Sequence, residues 1–402
     1  MAEGDEANSD HHHPTHEDLL CVPNLPVTTS DAGLDAIIVP TARPSEHLNT
    51  AIEYAKALGC ALVVLCSKKS AAAHVVALTA GAGIDVIAID VRQRHRRLLP
   101  EFRTDALLKR SFLDRRDTAT KRNIALLFAS LAGWQRVFFL DDDITVEHAD
   151  VLTAAARQLD HVDVAGLRVD EYPDNSVVCH AGRELGHPQK TFIGGGALAV
   201  HVGKASGSFF PHVYNEDWFF LLDAKGLRST AIAGRASQER YDPYYTRRRA
   251  DFEEFGDTLA EGVFWLLDEG SKVNDADRRH WGSFLEHRRA FIRELLDAVE
   301  TSELSSAKRP KIRRALTAAL RRNQRITPEF CEDYLAAWHA DRQTWREHVT
   351  RKQAEFAAVD PVEEWVPSVV SRLLGLDAAF VQANRSALAA PALSRSSSAP
   401  GA

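Results

Sequence analysis

The sequence predicts an α/β protein in which helices flank a mostly parallel sheet and a C-terminal helical region follows. Three observations support this prediction. Short strands that are apolar throughout alternate with amphipathic helical stretches in the first half, which is typical of parallel strands buried on both faces. Proline or glycine ends several of these segments. From about residue 275 onward, long stretches rich in Arg, Glu, Ala and Leu have helical spacing.

The predicted elements of the first half alternate between strand and helix. Strands are predicted at 35–40, 61–66, 84–90 and 136–140, and helices at 46–58, 70–79 and 121–132. Gly59 and Gly133 each follow a predicted helix, where glycine readily adopts the left-handed backbone of a helix end. Ligands of such sheets bind beyond the carboxyl ends of the strands, so residues at those ends are candidates for function.

Composition divides the chain into four parts. The main α/β domain is predicted over 31–272 and the helical region over 273–388, between a disordered arm at 1–30 and a disordered tail at 389–402. The arm contains a run of three histidines at 11–13, and an incidental run is favoured over a metal-chelating one. The five cysteines are scattered without a Cys-x-x-Cys pair, so they predict buried thiols and neither a disulfide framework nor a zinc site.

Charge and hydropathy exclude some classes of protein. The net charge of -7 lacks the basic surplus that neutralises phosphates, which argues against nucleic-acid partners. No apolar run approaches the ~20 residues of a membrane-spanning helix, and the acidic first residues do not resemble a secretory leader. A cytoplasmic protein without a transmembrane segment is therefore expected, and a homo-oligomer is left open.

Three aspartates, Asp141, Asp142 and Asp143, directly follow the apolar run 136–140. Like charges at the end of a buried strand repel, and a divalent cation removes this repulsion. Alternate side chains of an extended backbone point to the same side, so Asp141 and Asp143 are expected to converge on a metal while Asp142 turns away. Oxygen ligands favour Mg²⁺ or Mn²⁺ over zinc. The alternative is a polar strand end, with Asp143 capping the next helix.

The segment 138–143 resembles the aspartate-x-aspartate motif of GT-A-fold glycosyltransferases, close to the family 2-like group. The resemblance implies that 31–272 is a GT-A-like, Rossmann-like catalytic domain that binds a nucleotide-sugar donor. It implies that Asp141 and Asp143 hold Mg²⁺ or Mn²⁺ against the donor diphosphate, with Asp142 beside the donor. The implied reaction moves a sugar from a UDP- or GDP-sugar to an unidentified hydroxyl acceptor.

A basic segment before the predicted strand 136–140 resembles an element that contacts the donor in the same group of enzymes. It consists of Lys121, Arg122 and Asn123. Cations at a predicted helix start suit a diphosphate, because the helix dipole and the free backbone N–H groups also favour anions there. A solvated basic helix start is the alternative.

The loop after the first strand resembles the loop that holds the nucleotide base and ribose in this group. Its residues are Pro40, Thr41 and Arg43. The group commonly carries an aspartate at the end of the second strand, but here that strand ends in Cys66. Asp90, at the end of the third strand, is a candidate in its place, and the choice between UDP and GDP stays open.

A glycine triplet at Gly194, Gly195 and Gly196 resembles the segment that lines the acceptor side of GT-A enzymes, where Trp218 is also placed. Glycine triplets permit a close approach of the backbone. A bulge or tight turn is the alternative, and it is compatible with the functional interpretation.

Glu216 and Asp217 resemble the Glu-Asp element of inverting members, in which the aspartate is the general base on the acceptor hydroxyl. Asp217 is the favoured base and Glu216 the reserve, and a partly desolvated pocket would raise the pKa of such a base toward working pH. A helix cap is the alternative. The Glu-Asp element implies transfer with inversion at the anomeric carbon. Non-processive transfer is expected because no Gln-x-x-Arg-Trp element is recognisable.

Two other functions stay open. A sugar-phosphate nucleotidyltransferase has a related architecture and uses Mg²⁺, but the glycine-rich loop expected after its first strand is missing from residues 40–43. The other is a non-catalytic, nucleotide-binding scaffold. The third metal ligand also stays open among His180, His212 and His280.

Overall fold

The structure is a computed structural model that describes residues 12–13, 15–20, 33–108, 116–169, 175–188, 192–359 and 364–383. The predicted tail at 389–402 lies outside the described residues. Nine strands within the described part form one sheet, in the spatial order β5-β8-β6-β7-β4-β1-β2-β3-β9. In chain order they are β1 (Ala36–Thr41), β2 (Ala61–Cys66), β3 (Val86–Asp90), β4 (Arg136–Leu140), β5 (Ile144–Thr145), β6 (Val164–Val169), β7 (Ala197–His201), β8 (Thr230–Gln238) and β9 (Ala378–Val381).

Helices flank the sheet and make up most of the C-terminal region. The α-helices are α1 (Asn49–Leu58), α2 (Ala72–Thr79), α3 (Arg103–Leu108), α4 (Thr118–Leu131), α5 (Asp150–Gln158), α6 (Val177–Glu184), α7 (Glu216–Leu221), α8 (Arg247–Asp268), α9 (Arg278–Thr301), α10 (Arg309–Asn323), α11 (Pro328–Ala357) and α12 (Val366–Leu373). Short 3-10 helices lie at Glu17–Leu19, Ser45–Leu48, Gln93–Leu98 and Val273–Asp275. None of the described helices combines the length and apolar composition needed to cross a membrane.

The local predictions for the first half are confirmed where apolar runs and glycines define the elements. β2 and β4 have the predicted bounds, 61–66 and 136–140. Gly59 and Gly133 have φ of 64° and 74°, the left-handed backbone expected after a helix. These signals are local, so they locate elements without fixing how the elements pair.

The prediction of a mostly parallel sheet is wrong, because the sheet is mixed. β1 pairs in parallel with β2 and β4, as do β2 with β3 and β6 with β8. β7 is antiparallel to both β4 and β6, and the edge pairs β3 with β9 and β5 with β8 are also antiparallel. Continuous apolar composition reports burial on both faces, and β7 has that burial without being parallel to its neighbours.

Alternate residues of the central strands belong to two separate cores. Ile38 of β1 packs into one core, while Ile37 and Val39 pack into the other. Trp338 and Trp345 of α11 are buried in the same core as Ile38, so the C-terminal helices cover that face of the sheet. The region predicted as helical also returns to the sheet, since β9 pairs with β3.

Candidate active site

A cavity of about 170 Å³ lies at the carboxyl end of β4. Its walls come from the turn after β4, the glycine segment before β7, and the helices α4, α6, α7 and α8. His13, Thr15 and His16, from the part of the chain predicted as a disordered arm, also line it. The antiparallel direction of β7 matters here. It brings Gly196 beside the end of β4, where the Asp141 N–H donates to the Gly196 carbonyl oxygen at 2.8 Å.

The three aspartates after β4 do not continue the strand. The Ile144 N–H donates to the Asp141 carbonyl oxygen at 3.1 Å, which closes a turn over these residues. The expectation that Asp141 and Asp143 converge as alternate residues of an extended strand is therefore wrong. Asp141 lines the cavity, Asp142 pairs with Arg43, and Asp143 accepts from the Gln238 side chain at 3.3 Å.

Arg122 is the central cation of the cavity wall. Its side chain is 4% exposed and donates to both carboxylate oxygens of Asp141 at 3.1 Å. Its other amino group donates to Glu216 at 3.0 Å. Burial of the guanidinium is costly unless it is paired, and these two carboxylates supply the pairing. The sequence predicts Arg122 at the start of a helix. In the structure it lies in the second turn of α4.

The glycine triplet lets the backbone approach the charged groups closely. A Cβ on Gly195 would lie 2.6 Å from an amino nitrogen of Arg122 and 3.0 Å from the Asp217 Cβ. A Cβ on Gly194 would lie 3.2 Å from a carboxylate oxygen of Asp217. The close approach that glycines permit is thus present in this segment, and its physical reason is the packing of the Arg122 and Asp217 side chains against bare backbone.

Replacing Gly195 by alanine should push the Arg122 guanidinium out of its pairing. Arg122 is held at both ends by carboxylates, so its displacement should cost about 1–2 kcal/mol of unfolding free energy. Chemical denaturation checks this, with Gly203→Ala as the control. The nearest atom to a Cβ at Gly203 is 3.5 Å away, an ordinary contact. Equal stabilities of the two variants would contradict the close packing of Gly195 on Arg122.

α7 presents the two acidic residues of the cavity. Asn215, just before the helix, has φ of 59°, a left-handed backbone that asparagine tolerates better than most residues. The Glu216 side chain is 12% exposed. Burial, opposed by the Arg122 guanidinium and reinforced by Asp217, raises the pKa of Glu216 to about 7. Glu216 is therefore poised to exchange a proton near neutral pH.

Asp217 has a different environment. One of its carboxylate oxygens accepts from the Gly195 N–H at 2.6 Å, and the other accepts from the Trp218 N–H at 2.9 Å. Both oxygens are thus engaged by backbone donors, which fixes the glycine segment against α7. The Trp218 ring lines the cavity and packs against Phe192 and Phe264 at centroid distances of 5.2 and 4.7 Å.

The residues predicted at the first-strand loop form a polar cluster that holds Asp142. The Thr41 hydroxyl donates to the Asp142 carboxylate, and Arg43 donates to the same carboxylate at 2.9 Å. Arg43 also pairs with Glu239 after β8 at 2.6 Å. Pro40 lies within β1 and is partly exposed. The cluster lies beside the turn after β4, but its residues do not line the cavity.

Two other predicted donor residues have structural partners. Lys121 is 2% exposed, and its ammonium donates to the Thr41 carbonyl oxygen and to Ser67 at 2.8 and 2.7 Å. Asn123 is fully buried and exchanges two hydrogen bonds of 2.8 Å with the backbone of Phe210. The prediction of donor contact is therefore wrong for Asn123, because both ends of its amide are occupied inside the core.

Asp90 and the predicted histidines also lie away from the cavity. Asp90 accepts from the Ala72 N–H at the start of α2 at 2.8 Å. His180 bonds to the Tyr241 hydroxyl at 2.9 Å and His280 to the Gly262 carbonyl at 2.9 Å. His212 bonds to Thr120 and Asp105, both at 2.8 Å. None of these four residues lines the described cavity.

Several cavity residues were not predicted from the sequence. Asp257 and Glu261 are buried on α8 and line the cavity. Their separation of one helical turn on a buried face is a signal that could have identified them. His16 is held by Asp268 and Glu261. Burial lowers the pKa of His16, but hydrogen bonds to those two carboxylates outweigh it and raise the pKa to about 9.

Comparison with known proteins gives matches among solved structures. No protein-family model matches the chain, and no curated protein matches it. Among solved structures, the chain is similar to a mannosyltransferase from Pyrobaculum calidifontis in complex with GDP-Man and Mn²⁺. The two share 13% sequence identity with a TM-score of 0.32, over 87% of this chain and 89% of that chain. A likeness this low leaves function to be argued from the chain's own residues.

Proposed function

We propose that the protein is a metal-dependent glycosyltransferase that moves a sugar from a nucleotide-sugar donor to a hydroxyl acceptor. The carrying observation is the buried Arg122, which holds Asp141 on one side and Glu216 on the other at the carboxyl end of β4. The proposal is supported because these three side chains around one cavity could serve as a cation that compensates anionic charge, a hard carboxylate ligand and a proton acceptor. The resemblance of 138–143 to the aspartate-x-aspartate motif supports the same reaction class.

The residues around Asp141 fit a divalent cation. The Asp141 side chain lines the cavity and is 31% exposed. Both of its oxygens accept from Arg122, and each keeps a second lone pair that a cation could use. Gly196 leaves that space open, since a Cβ there would lie 2.9 Å from an oxygen of Asp141. Hard oxygen ligands suit Mg²⁺ or Mn²⁺, and Asp141 is the aspartate of this turn that would hold the ion from the cavity wall. When bound, the cation would neutralise charge on the departing nucleoside diphosphate.

Glu216 is proposed as the general base and Asp217 as a positioning residue, which reverses the order expected from the sequence. The acceptor oxygen attacks the anomeric carbon as the bond to the phosphate oxygen breaks, and the acceptor proton passes to Glu216. Asp217 holds Gly195 against α7 through its backbone bond. A single displacement of this kind inverts the anomeric configuration. The aromatic wall at Trp218 suits the acceptor side.

Replacing Asp141 by asparagine should weaken metal-dependent donor binding by about tenfold or more, because one hard anionic ligand is lost. Isothermal titration with UDP-, GDP- and dTDP-sugars, with and without Mn²⁺, measures this directly. Asp150→Asn is the control, since Asp150 is exposed in the first turn of α5. Binding of every donor without metal would contradict the proposed site. Pyrophosphate release from a nucleoside triphosphate and a sugar phosphate would favour a nucleotidyltransferase instead.

A further inference from the structure

The N-terminal segment, of which residues 12–13 and 15–20 are described, places a histidine next to a buried cysteine and a buried glutamate. His12 stacks on Phe291 of α9, with ring centroids 4.4 Å apart and planes 10° apart, so its ring is held in one orientation. Cys179 lies on α6 and Glu261 on α8. These three ligand-type side chains come from three separate parts of the chain, and the catalytic proposal uses none of them.

The three side chains form a compact group of mixed ligand atoms. A nitrogen of His12, the Cys179 sulfur and a Glu261 oxygen all lie within 4.8 Å of one another, and all three residues are buried. The described part of the chain contains no other such group of three or more His, Cys, Asp or Glu residues. The Cys179 sulfur is 3.9 Å from Glu261 Oε1. Nitrogen, sulfur and carboxylate oxygen together are the ligand set of zinc, whereas Mg²⁺ and Mn²⁺ prefer oxygen.

We propose that His12, Cys179 and Glu261 bind a Zn²⁺ ion. Ligand atoms of a tetrahedral zinc lie about 3.5 Å apart, so side-chain movements of about 1 Å would close the group. A water molecule from the adjoining cavity would complete four ligands. Binding converts the Cys179 thiol to a thiolate and releases one proton to solvent. The thiolate and the Glu261 carboxylate then balance the two positive charges of the ion.

Glu261 is already oriented by a second layer of groups, as ligands of a metal commonly are. His16 Nε2 lies 3.2 Å from Glu261 Oε2, and His16 Nδ1 lies 2.5 Å from Asp268. This leaves Oε1 as the atom that faces Cys179. Hydrogen-bond partners of this kind fix the orientation of a ligand side chain toward the metal. The neighbouring charge of Arg288 is balanced by its own bonds to Glu254 and Asp257.

The zinc site would hold the N-terminal segment in the cavity wall. His12 is the ligand from this segment, and His13, Thr15 and His16 follow it along the cavity. The segment already contacts α8 through the hydrogen bonds of His16 to Glu261 and Asp268 and through the packing of His13 on Trp265. A Zn²⁺ ion bound by His12, Cys179 and Glu261 would add a coordination link from this segment to α6 and α8.

Metal analysis of the full chain without a polyhistidine tag tests this proposal. Protein exchanged with Co²⁺ alone is expected to bind about one ion per chain and to show a thiolate-to-cobalt charge-transfer band that Zn²⁺ abolishes. His12→Ala, Cys179→Ser and Glu261→Gln should each weaken Zn²⁺ binding by about 100-fold or more, since each removes a ligand. The wild-type spectrum requires no variant to fold.

Matched controls separate this site from the others. His13→Ala removes the adjacent histidine, which packs on Trp265. Cys60→Ser removes a buried cysteine that lies between α1 and β2. Both should keep full Zn²⁺ binding, as should Asp141→Asn, whose loss concerns the proposed donor site. Absence of the charge-transfer band in the wild type, or its survival in Cys179→Ser, would overturn the proposal.

Discussion

Replacing Glu216 by glutamine should lower the rate of sugar transfer by about 100- to 10,000-fold, the range over which general bases contribute. Glutamine keeps the shape of the side chain, and its amide oxygen can still accept from Arg122, which donates to Glu216 at 3.0 Å. Donor binding should therefore stay within a few-fold of wild type. The loss should fall on kcat because the amide cannot take the acceptor proton.

The pH profile gives this prediction a second readout. The pKa of Glu216 is raised to about 7 by burial and by Asp217, against the lowering effect of Arg122. A base must be ionised, so the wild-type rate should rise with pH through about 7 and level off above it. Below that pH the rate should fall about tenfold per pH unit. Glu216→Gln should lose this dependence.

Asp217→Asn is the comparison variant for this experiment. Asp217 bonds to the backbone of Gly195 and Trp218, so its replacement should lower activity through positioning. The pH midpoint should persist but move to lower pH, because the Asp217 charge that helps to raise the pKa of Glu216 is removed. Steady-state kinetics, with the donor that the titration identifies, measure kcat and the pH midpoint of both variants. Wild-type activity in Glu216→Gln would contradict the role of the base. A product that keeps the donor's anomeric configuration would contradict the single displacement.

The raised pKa also has a consequence for folding that does not depend on the reaction. The pKa of Glu216 in the folded protein lies above its ordinary value of 4.5. Its contribution to stability is therefore fully present below about 4.5 and is lost as pH rises through about 7. Glu216→Gln lacks this loss, so the stability of wild type relative to the variant should decline over that pH range.

Local sequence signals predicted the elements that carry the site. The apolar run 136–140 ends where β4 ends, and the aspartate, glycine and Glu-Asp segments were identified as candidate site residues. Asp141, Gly196 and Glu216 do line one cavity. These signals succeed for two reasons. A strand buried on both faces is apolar, and residues at the carboxyl ends of such strands are where ligands bind.

Other features depend on contacts that a local pattern does not contain. The antiparallel direction of β7 brings Gly196 to Asp141, but an apolar run reads the same in either direction. The turn after β4 sends three adjacent aspartates to different partners, whereas an extended backbone would have paired two of them. His16 reaches Glu261 from a polar segment whose composition predicts disorder. Such contacts appear only when distant segments are packed together.

Gly256 of α8 controls how that helix approaches the segment before α7. A Cβ on Gly256 would lie 2.7 Å from the backbone nitrogen of Tyr214 and 2.8 Å from its carbonyl carbon, and closer still to its carbonyl oxygen. The helix and the Tyr214 backbone therefore touch directly. Asn215 is fixed to the same helix, since its side chain donates to Asp257 at 3.1 Å. Any displacement there would move Glu216 as well.

Replacing Gly256 by alanine should therefore lower the free energy of unfolding by about 3 kcal/mol, since backbone atoms cannot rotate away as a side chain can. The higher helix propensity of alanine, about 1 kcal/mol, offsets only part of this loss. Gly282→Ala on α9 is the matched control, because a Cβ there meets nothing within 4 Å. That variant should be as stable as wild type or up to about 1 kcal/mol more stable. Equal urea midpoints for the two variants would show that α8 and the Tyr214 segment can separate without cost, and Glu216 would then lack the fixed position that its role requires.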